Sequence, residues 1–184
     1  MKKIYLLFFV LLSSLNTWCQ TSSLLTYEGN FTIPDNEKYV KLDFDFSQTV
    51  FEKKYNEEDW ALLNGKNEWE EAKQEALERI VDLMNEKMKN TRIILVIDKM
   101  IEKMNNGIVP KYTLYITPLK LKKNGKNTSA FVLKNNATGE VLGTVQTVGK
   151  GAHFGSLGNM LGDGFENSGP VVAKLIRKHN KIKK

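Results

Sequence analysis

The chain has 184 residues, 41% of them apolar and 26% charged, which is the profile of one ordinary globular domain and excludes a disordered or fibrous chain. Its formal net charge of +6 is mild, and most lysines are interleaved with acids, which argues against nucleic acid as a partner. The single cysteine, Cys19, falls at the end of the first apolar segment, so the rest of the chain has no disulfide scaffold, thiolate nucleophile or thiolate metal site.

Residues 1–19 read as a secretory leader: two lysines, an apolar run from Ile4 to Leu12, and small residues at Thr17 and Cys19. The run is too short to span a bilayer. Cleavage before Gln20 would leave 25 basic against 21 acidic residues, a charge of +4. A lipid anchor at Cys19 is the competing reading. Trp18 and Asn16 fit the apolar and small positions of a lipobox poorly, so export without an anchor is favoured. The leader resembles those of Bacteroidota. The sequons at Asn30, Asn127 and Asn136 are read as turn chemistry.

Residues 20–38 are polar, contain Gly29 and Pro34, and read as an extended lead-in with a short extended piece at 24–27. From Tyr39 the sequence alternates, placing Val40, Leu42, Phe44 and Phe46 on one face and Lys41, Asp43, Asp45 and Ser47 on the other, a half-buried strand. After an aromatic and acidic stretch, apolar residues from Trp69 to Met88 recur at helical spacing. Asn67 with Glu70 resembles a capping box, so a helix over 67–89 is expected.

The apolar run 92–97 reads as a central strand that returns from that helix, completing a βαβ unit. Residues 98–107 suggest a further turn or two of helix ending at Gly107. Three strands then follow as a hairpin series, separated by "KNGKN" and "NATG". Pro118 marks an edge strand or a bend. A closing helix from about Ser156 to His179 is expected to break near 167–170, where Pro170 removes an amide.

The glycine-rich stretch 148–170 looks at first like a phosphate loop. Lys150 precedes the glycines instead of following the last of them, so the P-loop pattern fails. The dinucleotide fingerprint belongs after the first strand of a βαβ unit, and this cluster lies near the carboxyl end. Gly155, Gly158, Gly162 and Gly169 are therefore read as structural, letting the helix backbone approach its neighbours closely.

The run "NATGEVLGTVQTVGKGAHFGSLGNMLGDGFENSGPVVAKLIRKHN", residues 136–180, resembles the closing segment of a group of small bacterial envelope proteins, many of them lipoproteins. A "TGEVL" strand there leads through a glycine-rich turn into a helix of the form "GFxxSGxxxAKLI". The resemblance implies a two-layer α/β domain akin to the amino-terminal domain of TolB, with no catalytic residues to carry over.

Other constellations are weighed against packing. His153 and His179 have neither metal-ligand spacing nor cysteine companions. His153 with Ser156 lacks the orienting group of a triad. Phe51, Tyr55, Trp60 and Trp69 form a dense aromatic group, a partner or glycan surface if exposed and core if not. Arg177, Lys178, Lys181, Lys183 and Lys184, following Lys174, are either a solvated helix cap or a contact for an anionic surface.

The expectation is an α/β (α+β) fold of two layers, with a mixed or antiparallel sheet of four to five strands and two main helices on one face. It comprises a leader at 1–19, the lead-in at 20–38, one domain at 39–180 and a basic tail at 181–184. No catalytic, cofactor or metal residue is assigned. The expected function is that of an exported, non-enzymatic envelope accessory or binding protein whose partner is an envelope protein or surface polymer. The alternative is an envelope glycan hydrolase using carboxylates near Trp60 and Trp69.

Overall fold

Two turns that only glycine completes easily organise the second half of the sheet. Gly125 (φ 80°) and Gly139 (φ 74°) reverse the chain between β5 (Tyr112–Leu121), β6 (Asn127–Asn135) and β7 (Val141–Gly149). These strands pair antiparallel in sequence order, Ile116 opposite Phe131 and Phe131 opposite Val145. The computed structural model describes residues 24–104, 107–152 and 154–181. The predicted leader with Cys19, and His153, Lys183 and Lys184, lie outside the described residues.

β2 (Tyr39–Phe44) lies beside β5 and runs parallel to it, and β4 (Ile94–Val96) runs parallel to β2 on its far side. The sheet order is β1-β7-β6-β5-β2-β4, and the two-residue β3 (Val50–Phe51) extends the β2 side of β5. The sheet is thus mixed and has seven strands. The expected four to five fall short because β1 (Leu24–Gly29) and β3 were not counted as strands. β1 lies in the stretch read as a lead-in and pairs antiparallel with β7.

Just beyond β1, Phe31 and Ile33 are buried in the core. A side chain from the opposite end of the chain fixes them. Asn180 Oδ1 accepts from the Ile33 amide at 2.7 Å, while its Nδ2 donates to the Phe31 and Ile176 carbonyls at 2.6 and 2.8 Å. A buried amide thereby satisfies backbone groups that no strand reaches.

Pro118 does not make β5 an edge strand. It falls between the two partners of β5, after Phe44↔Ile116 and before Val50↔Lys120, where its missing N–H costs no ladder bond. Thr49 Oγ1 donates to the Pro118 carbonyl across the gap at 2.5 Å.

Among the described residues there are five helices: α1 (Glu57–Asn64), α2 (Lys66–Lys87), α3 (Asp98–Met104), α4 (Leu157–Phe165) and α5 (Ser168–His179). α1 was not anticipated; Asn56 caps it by accepting from the Asp59 amide at 2.8 Å. Gly65 (φ 89°) joins α1 directly to α2. Asn67 therefore lies inside α2 and is not its cap. The closing helix breaks where expected, and Pro170 sits in the first turn of α5, a position that tolerates the missing donor.

Trp69, Ala72, Ala76, Ile80 and Met84 of α2 are buried in the same core as Val40, Leu42, Leu114, Phe131 and Val145 of the sheet. α4 packs on α2 through glycine. A Cβ on Gly158 would lie under 3.0 Å from the Glu75 side chain, and one on Gly162 would meet Arg79 Cδ at 3.2 Å and Ala76 Cα at 3.8 Å. A Cβ on Gly169 of α5 would meet Met84 Cγ at 3.3 Å, whereas Gly155 (φ 132°) is exposed and faces only Asn159.

The closest approaches to backbone atoms occur at glycines other than those four. A Cβ on Gly125 would fall under 3.0 Å from the Met160 carbonyl, on Gly149 from the Gly164 carbonyl, and on Gly164 from the Gly125 carbonyl. The β5–β6 turn, the end of β7 and α4 thus touch backbone to backbone. Asn127, 3% exposed, binds the junction: its Nδ2 donates to the Gly125 and Gly164 carbonyls at 2.9 and 3.0 Å, and its Oδ1 accepts from Ser129 Oγ at 2.7 Å. The sequon asparagine at 127 is therefore a core polar residue and not a turn residue.

Gly164→Ala should lower stability by about 3 kcal/mol, as overpacking against rigid backbone does. That is about 6–12 °C in Tm for a domain of this size. Gly162→Ala faces the flexible Arg79 side chain and gains about 1 kcal/mol of helix propensity, so its melting curve should stay close to that of the parent.

Candidate functional site

The aromatic group turns inward. Phe51, Trp60 and Trp69 are 0%, 5% and 1% exposed, and Tyr55 is half-buried. The Phe51 ring stacks on Trp60 at 5.3 Å and meets the edge of Trp69 at 5.6 Å, and Phe46 lies 5.2 Å from Trp69. An exposed aromatic platform is therefore not formed, and the packing alternative describes these residues. The Trp69 indole N–H donates to Glu57 Oε1 at 3.0 Å, whereas that of Trp60 is buried without a partner among the described residues.

Alongside this core, the parallel strands β2 and β4 end side by side. In open sheets the carboxyl ends of parallel strands are where ligands bind. Asp43 lies near the end of β2 and Asp45 just past it, Asp98 opens α3 just past β4, and α1 and the first turns of α2 bring Glu57, Glu70, Lys73 and Gln74 over the same opening. The cleft so formed has a volume of about 430 Å³, and Phe44, Phe46, Leu77 and Ile97 supply its apolar lining.

Two lysines tie these acids together. Lys73 Nζ lies 3.0 Å from Glu57 and 2.7 Å from Glu70; Lys41 Nζ lies 3.0 Å from Asp43 and 2.8 Å from Asp98. Besides the Trp69 indole on Glu57, backbone amides contact these carboxylates: Asp43 accepts from Phe44 at 2.8 Å and Asp45 from Ser47 at 3.0 Å. Burial pulls the pKa of each lysine down. The hydrogen bonds and charges of the carboxylates outweigh that, Asp98 and Asp43 for Lys41, Glu70 and Glu57 for Lys73, and both end above the ordinary lysine value.

Ser156 is occupied as the N-cap of α4, accepting from the Asn159 amide at 3.0 Å, and its hydroxyl donates to Glu75 at 3.1 Å. His179 lies far from it, beside Asn30 Oδ1 at 3.2 Å. Ser156 borders a second, shallower cleft of about 490 Å³, facing Glu68, Glu71 and Glu75 of α2. Among the described residues no group of three or more His, Asp or Glu side chains is placed to hold a metal ion, and no helix is long and apolar enough to cross a membrane.

Of the basic tail, Lys174, Lys178 and Lys181 are exposed and Arg177 is half-buried, at the negative end of the α5 dipole. Lys181 bridges to Thr91, just before β4, so this cluster lies where the parallel strands begin.

The sequence did carry a signal for the cleft. In "LVIDK" an acid follows an apolar run directly, which marks the carboxyl end of a strand, whereas "LDFDFS" alternates and carries no such mark. Asp43 and Asp45 were assigned to a polar strand face, and nothing in the spacing linked them to Asp98 or Lys73.

No protein-family profile matches the chain, and no curated protein does. Among solved structures, it is similar to the PelC dodecamer from Paraburkholderia phytofirmans, with 8% identity over 77% of this chain and 96% of that one, at a TM-score of 0.37. A point variant of PelC from the same organism gives 12% identity over 83% and 92% of the two chains, also at 0.37.

The raised lysine pKa values set the sign of a pH effect. A cation whose folded pKa lies above its unfolded value near 10.5 stabilises fully below that pH and loses the contribution as the pH rises through the folded value. Lys73→Met should melt below the parent at neutral pH, by about 1 kcal/mol or more because two acids lose their cation. The gap should close in melts recorded above pH 10.5.

Proposed function

We propose that the protein is an exported, non-enzymatic accessory protein of the bacterial envelope, and that it binds a polyhydroxylated ligand bearing ammonium groups, such as an amino-sugar polymer, in the cleft at the ends of β2 and β4. One observation carries the ligand class: Asp43, Asp45, Glu57, Glu70 and Asp98 outnumber Lys41 and Lys73 there, in a chain that is basic as a whole. Acceptor oxygens over an apolar floor suit hydroxyl and ammonium donors on a sugar ring. The leader grammar and the resemblance of residues 136–180 to small envelope proteins support the location.

The hydrolase reading draws on Glu57 and Glu70, which share the cleft beside Trp69. Lys73 weighs against it by joining the two carboxylates at 3.0 and 2.7 Å. A glycosidase needs its two carboxyl groups free to flank the scissile bond, and here one ammonium engages both.

Calorimetric titration with glucosamine oligomers should show binding to the parent, with N-acetylated oligomers weaker. Asp45→Asn combined with Glu70→Gln should weaken it about tenfold, as loss of charge-assisted hydrogen bonds does. Equal affinity for both oligomers sinks the ligand class. Reducing ends released from envelope glycan by the parent but not by Glu57→Gln would establish the hydrolase instead.

A further inference from the structure

We infer that the hairpin where β5 turns into β6, at the end of the sheet where the parallel strands finish, is a docking surface for an anionic phospholipid bilayer, with Phe154 entering the headgroup layer. The inference is independent of the cleft and its ligand. Lys120, Lys122, Lys123 and Lys126 are all exposed on this hairpin. The turn after β3 brings Lys53 and Lys54 beside them, because the Glu52 amide donates to the Leu121 carbonyl at 3.0 Å. Lys150, exposed at the end of β7, completes the group, since Gly149 pairs with Asn127.

None of these lysines forms an ion pair with a described residue, although other lysines of the chain do. Lys54 lies over the Tyr55 ring at 4.5 Å. Glu52 is the acid among them, and its Oε1 is engaged by the Lys123 amide at 2.6 Å. Glu68, Glu71 and Glu75 of α2 line the shallow cleft that Lys123 and Gly155 border. The hairpin lysines come from residues 103–139, which hold no acid, and the fold adds Lys53, Lys54 and Lys150 to them.

Cations alone would suit any polyanion; the apolar residue beside them selects a bilayer. The loop after β7 is tied to the hairpin by the Ala152 amide, which donates to the Asn124 carbonyl at 2.8 Å. Two residues on, Phe154 is 90% exposed, the most exposed large apolar side chain among the described residues. Leu62 and Leu63, each 61% exposed, lie near the end of α1, whose last residue, Asn64, lines the same shallow cleft as Gly155. Aromatic and aliphatic side chains rimmed by lysine are the composition of an interfacial membrane contact.

This surface is not the basic tail. Lys181 lies beside Thr91 where β4 begins, and the hairpin lies where the parallel β5 ends, so the two cation groups occupy opposite ends of the sheet and cannot meet one flat membrane together.

The test is co-sedimentation of the full chain, parent and variants side by side, with phosphatidylcholine vesicles with and without phosphatidylglycerol. Each lysine near an anionic surface contributes about fivefold to partitioning, so Lys122→Glu, Lys123→Glu and Lys126→Glu together should reduce binding by about 100-fold or more. Phe154→Ser should reduce it about tenfold without moving Tm, because the ring packs on nothing. Arg177→Gln with Lys178→Gln should leave it unchanged. Equal binding of the parent to both vesicles overturns the inference, as does full binding by Phe154→Ser, or loss in the tail variant alone. Displacement from vesicles by DNA with Phe154→Ser still fully bound to DNA would assign the lysines to a soluble polyanion and overturn it too.

Discussion

The contact on which the rest depends is the one among three main chains: the β5–β6 turn, the end of β7 and the helix α4. Gly125, Gly149 and Gly164 leave no space for a Cβ where these segments meet, and the Asn127 amide bonds two of their carbonyls. Backbone groups buried this deeply need partners, and Asn127, itself held by the Ser129 hydroxyl, supplies them. A glycine-rich stretch that resembles a ligand loop in one dimension is a packing device in three.

With α4 seated there, α2 can pack against it through Gly158 and Gly162, with the Arg79–Asp163 ion pair at the surface of the seam. α2 in turn covers the ring cluster formed by Phe46, Phe51, Trp60 and Trp69. Its amino-terminal turns carry Glu70 and Lys73 to the ends of β2 and β4. α5 continues from α4, and through Asn180 it holds the segment after β1. The cleft is therefore positioned by a chain of contacts that starts at the same end of the sheet, where β5 turns into β6.

Legibility in the sequence followed the length of the pattern. The alternation from Val40 to Phe46, the helical spacing from Trp69 to Met84 and the turns at Gly125 and Gly139 each repeat often enough to fix an element. α1 has only eight residues, with Leu62 and Leu63 exposed, so its periodicity is weak; Asn56 with Asp59 three residues on was the signal available. β3 has two residues and exists only because β5 runs beyond β2. β1 is legible only once Phe31 and Ile33 are known to be core.

The site was less legible than the fold. The tryptophans drew attention to their own carboxylates, Glu57 and Glu70 among them, yet the rings are core. The acids that complete the cleft, Asp43, Asp45 and Asp98, come from two strands made neighbours by a crossover. The lysines of "KLKKNGK" stand in a stretch, 103–139, without an acid, and a hairpin tip displays them, while the ends of β2 and β4 carry the aspartates.

Native-state hydrogen exchange tests the central contact most directly, since it reports the opening free energy of each element separately. If the glycine junction holds α4 to the sheet, the amides of Leu161 and Phe165 should open with the same free energy as those of Leu114 and Phe131, in a single global event. Exchange of the α4 amides through a separate opening several kcal/mol easier would show that the helix only rests on the sheet, and would contradict the account.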